Sequence, residues 1–164
     1  MACSPIYISS ILQTRISVKI VNIKESILET LACRLLDMVG NKCIEDGYIS
    51  CHNINILVHS EGTIHFDEIV YQVTYRCNIA QPVDGMVFRA KVKTITKAGI
   101  HSQVFDDYGH IPMTVYILND QNCPNALFHA VKDTDHILIK VITTRYELLD
   151  SSISVIANLL QVVE

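Results

Sequence analysis

From Ile69 to Ile79 the chain alternates without a break. Ile69, Tyr71, Val73, Tyr75, Cys77 and Ile79 fall on one side, and Glu68, Gln72, Thr74, Arg76 and Asn78 on the other. A period of two sustained over this length describes a strand with one buried face, in an antiparallel sheet. A face of that size needs a covering layer. The segment before it supplies one. Ile23, Ile27, Leu28, Leu31, Leu35 and Met38/Val39 recur at three- and four-residue steps, the signature of an amphipathic helix over about Ile23 to Val39. Asn22 and Glu25 read as its capping box. Gly40 reads as its left-handed C-cap.

The rest of the first unit is arranged around this pair. Residues 1–5 read as a loose start, and Ile6 to Ile20 as one strand or two with a break. After the helix, Asn41 to Tyr48 reads as a polar loop ending in an Asp-Gly turn. Ile54, Ile56 and Val58 then alternate along a further strand, and Ser60-Glu61-Gly62 turns into the long one. Residues 1–82 are therefore expected to form an α+β unit, strand–helix–strand–strand, of RNP-like type.

Pro82-Val83-Asp84-Gly85 marks a boundary, and from Met86 the pattern restarts as shorter strands. Five are expected, over Met86–Thr94, Ile100–Phe105, Ile111–Leu118, His136–Thr143 and Ser152–Leu160. Lys97-Ala98-Gly99 and Asp106-Asp107-Tyr108-Gly109 make the first two turns, and Asn119 to Ala130 a longer connection. Five strands with a long third connection fit a five-stranded OB-fold β-barrel over residues 83–164. A fragment of a β-sandwich is the other arrangement this pattern allows.

Composition narrows the function. The 164 residues are 49% hydrophobic and 18% charged, which excludes a disordered tail. The net charge of −4 excludes a generally basic nucleic-acid binder, so any such contact must be local. Cysteines stand at 3, 33, 43, 51, 77 and 123 with no Cys-x-x-Cys spacing, and they read as free thiols in a reducing compartment. No segment has the length of a membrane span, and none at the start reads as a signal peptide, so no membrane contact and an intracellular location are expected.

Catalytic motifs are absent: no Gly-x-Ser-x-Gly elbow, no phosphate-binding glycine loop and no His-Glu-x-x-His. The seven histidines are scattered, and no metal or other cofactor is expected, although a site could still assemble in space. Asp106-Asp107 and Asp133/Asp135 could flank a cation, but turn chemistry accounts for them. Binding has more support. Arg89, Lys91 and Lys93 alternate on one face of the first barrel strand, opposite Met86, Phe88, Ala90 and Val92, and Lys97 follows in the turn. Cations about 7 Å apart suit the phosphates of a single strand. The same row could equally be a solvated outer face. Phe105, Tyr108 and Tyr116 are candidate stacking rings, with no pairing visible among them.

The run Gly40 to Cys51, with Val73-Thr74-Tyr75-Arg76-Cys77 and Pro82-Val83-Asp84-Gly85-Met86-Val87, resembles the stalk-subunit family of multisubunit RNA polymerases. That family includes the seventh subunit of eukaryotic RNA polymerase II and its counterpart in the archaeal enzyme. The resemblance lies in the order helix, tip, two strands, Val-Asp-Gly and barrel, which covers nearly the whole chain. It implies a non-catalytic subunit of a DNA-directed RNA polymerase, whose first domain docks a tip on the large core subunits. Its barrel would reach toward nascent RNA, held weakly and without sequence preference, and a smaller helical stalk partner would bind alongside. By position, Gly40, Lys42, Asp46, Gly47 and Tyr48 would form the core-docking tip. Arg89, Lys91, Lys93, Lys97 and Tyr108 are the candidate RNA contacts by their spacing and chemistry, not by the resemblance. Two features depart from the family pattern: the segment Tyr75 to Val83 is shorter, and Gly99 is followed by Ile100 and His101 in place of an aromatic. The isoleucine richness suits an A/T-rich genome such as that of a large DNA virus, which would put the protein in cytoplasm or virion; a cellular protein of this kind would be nuclear. The second reading is a free-standing OB-fold RNA-binding protein.

Overall fold

The computed structural model describes all residues except 1, 24–25, 120–124, 134 and 164, with the backbone alone at 125–127. The order is β1 (Ile8–Lys19), α1 (Ile27–Val39), β2 (Lys42–Ile44), β3 (Gly47–Ile49), β4 (Asn55–His59), β5 (Thr63–His65) and β6 (Glu68–Ala80). There follow β7 (Val87–Ile95), β8 (Gly99–Val104), β9 (Met113–Leu118), α2 (Asn125–Ala130), β10 (His136–Arg145) and β11 (Ile153–Val163).

The alternating stretch forms β6, and β6 is the spine of the first sheet. One edge pairs with β1 along its whole length, from Ile8 opposite Ile79 to Lys19 opposite Glu68, so the first strand has no break. The other edge takes three short strands in succession: β5 on Glu68–Val70, β4 on Val73–Arg76 and β3 on Ile79–Ala80. Val73, Tyr75, Cys77 and Ile79 are buried with Ile16 and Val18 of β1 beneath Leu31, Leu35 and Val39 of α1. In β4 the alternation fails after Ile56. A bulge skips Leu57, so Val58 lies opposite Thr74 on the outer side and is exposed.

Both helix ends differ from expectation. Residues Ile20–Asn22 form a 3-10 turn, which uses Asn22 one turn too early to cap the helix. The cap is Ser26, whose Oγ accepts from the Glu29 N–H at 3.4 Å. Ser26 and Glu29 repeat the capping spacing expected of Asn22 and Glu25, and Glu25 lies outside the described residues. At the other end Gly40 is extended (φ −62°) and Asn41 takes the left-handed conformation (φ 53°). Asn41 holds it by accepting from the Cys51 N–H at 3.0 Å through Oδ1. Gly40 is needed for space, since a Cβ there would lie 2.6 Å from the Leu36 carbonyl oxygen.

The second unit is a closed barrel in the order β7-β8-β9-β11-β10 and back to β7. All its pairings are antiparallel except β9 with β11. This is an OB-like barrel, with α2 in the expected third connection. Strand bounds fall within two residues of expectation except at the C-terminal end of β11, which runs on by three. The Asp106 turn is made by side-chain bonding, its Oδ1 accepting from the N–H groups of Tyr108 (3.0 Å) and His110 (2.8 Å). Asp135 likewise accepts from the Lys132 N–H.

The segment read as a polar loop is a hairpin that joins the units. Cys43 and Tyr48 point into the barrel core, while Ile49 belongs to the core beneath α1. The turn between β10 and β11 straps over β2: the Cys43 N–H donates to the Asp150 carbonyl and the Leu149 N–H to that of Cys43, both at 2.8 Å. The Tyr146 hydroxyl donates to the Glu45 carbonyl at 2.9 Å. The start of the chain is pinned rather than loose. Ser4 bonds Val87 through backbone and side chain, and the Tyr7 hydroxyl donates to Asp106 at 2.9 Å. Ile6 and Tyr7 pack on the barrel core, which with the Ser4 bonds holds residues 4–7. Among the described residues no helix is long and apolar enough to cross a membrane.

Tyr48 is 1% exposed, so removing its ring leaves a cavity where hairpin and barrel meet. Tyr48→Ala should cost about 3–5 kcal/mol, read as a lower urea midpoint. Asp46→Ala at the exposed hairpin turn should change stability by less than about 0.5 kcal/mol.

Candidate nucleic-acid interface

The barrel wall turns Phe88, Ala90 and Val92 inward, and the pleat turns Arg89 and Lys91 outward, while Lys93 is the extra residue where β7 bulges against β8. All three are exposed. Lys91 lies across from Gln103 on β8 and from His136 on β10. Beside Arg89 and Lys91, an open cleft of about 450 Å³ is lined by Gln103, Phe105, His136 and the pinned Cys3-Ser4 segment. Phe105 is partly exposed there and offers a ring next to the cations.

A stacking pair also stands on this wall. Ile100 is buried in the barrel, so its neighbour His101 faces outward. His101 lies opposite Tyr116 of β9, and the two rings stack with centroids 5.0 Å apart and planes 4° apart. Burial, and then the Lys93 charge, push the His101 pKa below its ordinary value. The cations that β7 gives this wall are Arg89, Lys91 and Lys93, and Lys140 is exposed on the neighbouring strand β10. The sequence shows Gly99 without a following aromatic. The signal for the pair lies in strand register: with Ile100 in the core, His101 and Tyr116 must share the outer face.

The remaining candidates are elsewhere. Lys97 is exposed in the β7–β8 turn, where its carbonyl accepts from the Asn119 side chain. Tyr108 lies past the other end of β8, stacked on His52 of the first unit at 3.7 Å. The structure thus brings Arg89, Lys91 and Lys93 together and leaves Tyr108 out of the group.

The tip residues divide in two. Gly47 and Tyr48 are buried, and a Cβ on Gly47 (φ 137°) would strike the Ala80 carbonyl oxygen. Gly40 is half-buried, and Lys42 donates to the Asp37 carbonyl. Only the turn itself, Glu45 and Asp46, stands free in solvent. It borders an open cleft of about 640 Å³ between the sheet and the β10–β11 turn, lined also by Ile11, Ile44 and Leu148. Ile11, Leu148 and Leu149 are each more than half exposed.

Compared with known proteins, the chain matches no family model and no curated sequence.

If this wall binds single-stranded RNA, it does so through its cations. Phosphate contacts by three cations predict a slope of about −2 in log affinity against log salt. Reversing Arg89, Lys91 and Lys93 to Glu should abolish binding in a fluorescence-anisotropy titration. Tyr116→Ala should weaken it by about 1–3 kcal/mol. Binding unchanged by the triple reversal would remove this wall as the interface.

Proposed function

We propose that this chain is a non-catalytic stalk subunit of a DNA-directed RNA polymerase. It would dock on the large core subunits through the exposed side of its tip and guide nascent RNA along the barrel wall. The observation that carries the reading is the order of units: a strand–helix–sheet unit, a short hairpin, then an OB-like barrel. Two further features support it. The hairpin is bonded to the barrel, so a load on the tip is transmitted to the RNA-facing wall. The cleft beside Glu45 and Asp46 combines carboxylates with exposed Ile11 and Leu148, an apolar centre with a charged rim that suits a protein partner. Docking then rests on Glu45, Asp46 and this cleft, while Gly40, Gly47 and Tyr48 act by shaping the hairpin.

A second reading, a free-standing OB-fold RNA-binding protein, is favoured by one observation: the basic row beside the His101–Tyr116 stack. Affinity purification of the tagged chain, with mass spectrometry of what accompanies it, separates the two. The stalk reading expects the large polymerase subunits in stoichiometric yield, and their loss in an Asp46→Arg, Leu148→Asp variant that keeps the wild-type urea midpoint. Recovery of RNA and ribosomal proteins without polymerase would overturn it in favour of the second reading.

A further inference from the structure

We propose that Cys51, His52 and His110 bind one divalent cation of the zinc class and so clamp the first unit to the barrel. The donor atoms of these three half-buried residues lie within 4.8 Å of one another. A thiolate with two imidazoles is a donor set that suits zinc, and three protein ligands leave a fourth position for solvent. In a tetrahedral site with bonds of about 2.0–2.3 Å, neighbouring donor atoms are about 3.5 Å apart. Side-chain rotations of about an ångström would therefore close the set.

The residues come from different units. Cys51 and His52 follow β3, and His110 ends the Asp106 turn between β8 and β9. Each is positioned by a contact of its own. The Cys51 N–H donates to Asn41 Oδ1 at 3.0 Å, and the His52 N–H to Ser50 Oγ at 3.3 Å. The Tyr108 ring stacks on His52 and leaves the edge of the imidazole, where its nitrogens lie, uncovered by the stack. The Asp106 carboxylate takes the His110 N–H and lies 3.5 Å from the His110 ring nitrogen Nδ1. A carboxylate behind a histidine is the usual support of a metal-binding imidazole. Sequence spacing hides this cluster, since His110 is far from the adjacent Cys51-His52 pair.

The test is a Co²⁺ titration of the full, reduced, chelator-treated chain. It should show one equivalent bound, with thiolate-to-cobalt charge-transfer absorption and the strong visible bands of tetrahedral Co²⁺, all displaced by Zn²⁺. Cys51→Ser should abolish the charge-transfer band and weaken binding at least tenfold, and His110→Gln should weaken it to a similar degree. Asp106→Asn should weaken it by about tenfold or more. Cys33→Ser, at an exposed helix position, should change nothing. A measurement on the wild type alone guards against variants that fail to fold: one equivalent of Zn²⁺ should protect Cys51 from alkylation, mapped by mass spectrometry. Absence of the charge-transfer band in the wild type, an unaltered band in a folded Cys51→Ser, or protection of a different thiol would each overturn the proposal.

Discussion

The structure depends on the β2–β3 hairpin. Its two faces belong to two cores. Ile49 packs beneath α1 with the first sheet, while Cys43 and Tyr48 are sealed in the barrel. Burial pushes the Cys43 thiol up to about 11, with the Asp150 charge adding to it, and pushes the Tyr48 phenol up to about 12. Both groups therefore stay neutral at any physiological pH. The paired main-chain bonds from Cys43 to the Leu149–Asp150 turn fix the register between the units. A joint with buried side chains and satisfied backbone differs from a linker: it resists bending because every opening exposes apolar surface and unpaired amides together.

That joint sets where the surfaces of the two units lie. β6 carries β1 on one edge and the β2–β3 hairpin on the other, so the hairpin's position follows from the longest strand of the first unit. The barrel closes on itself and leaves its outer wall free for Arg89, Lys91 and Lys93. The pinned start of the chain, from Ser4 to the Tyr7–Asp106 bond, adds a second tie between β1 and the barrel.

The parts legible in the sequence are those where one local rule acts alone. The alternation of β6 and the strands of the barrel follow from burial on one face and match the observed elements closely, while the stripe of α1 holds from Leu31 to Val39 and Leu28 is exposed. The N-cap is ambiguous in the sequence because Asn22 and Ser26 both satisfy the capping pattern, and only the 3-10 turn decides between them. The hairpin reads as a polar loop because its strands are three residues each, and its apolar residues, Cys43, Tyr48 and Ile49, serve two different cores. No single period describes such a segment. The His101–Tyr116 pair and the Cys51, His52, His110 cluster depend on register and on the contact between units, which spacing along the chain does not encode.

Amide hydrogen exchange at Cys43 and Leu149 tests most directly that the two units form one body. Both amides lie on the seam, at 2.8 Å from their acceptors. A single cooperative body predicts that they exchange as slowly as the amide of Val115 in the barrel wall, through global unfolding. Exchange at the rate of an open turn would contradict this, and would mean that tip and barrel separate while each remains folded.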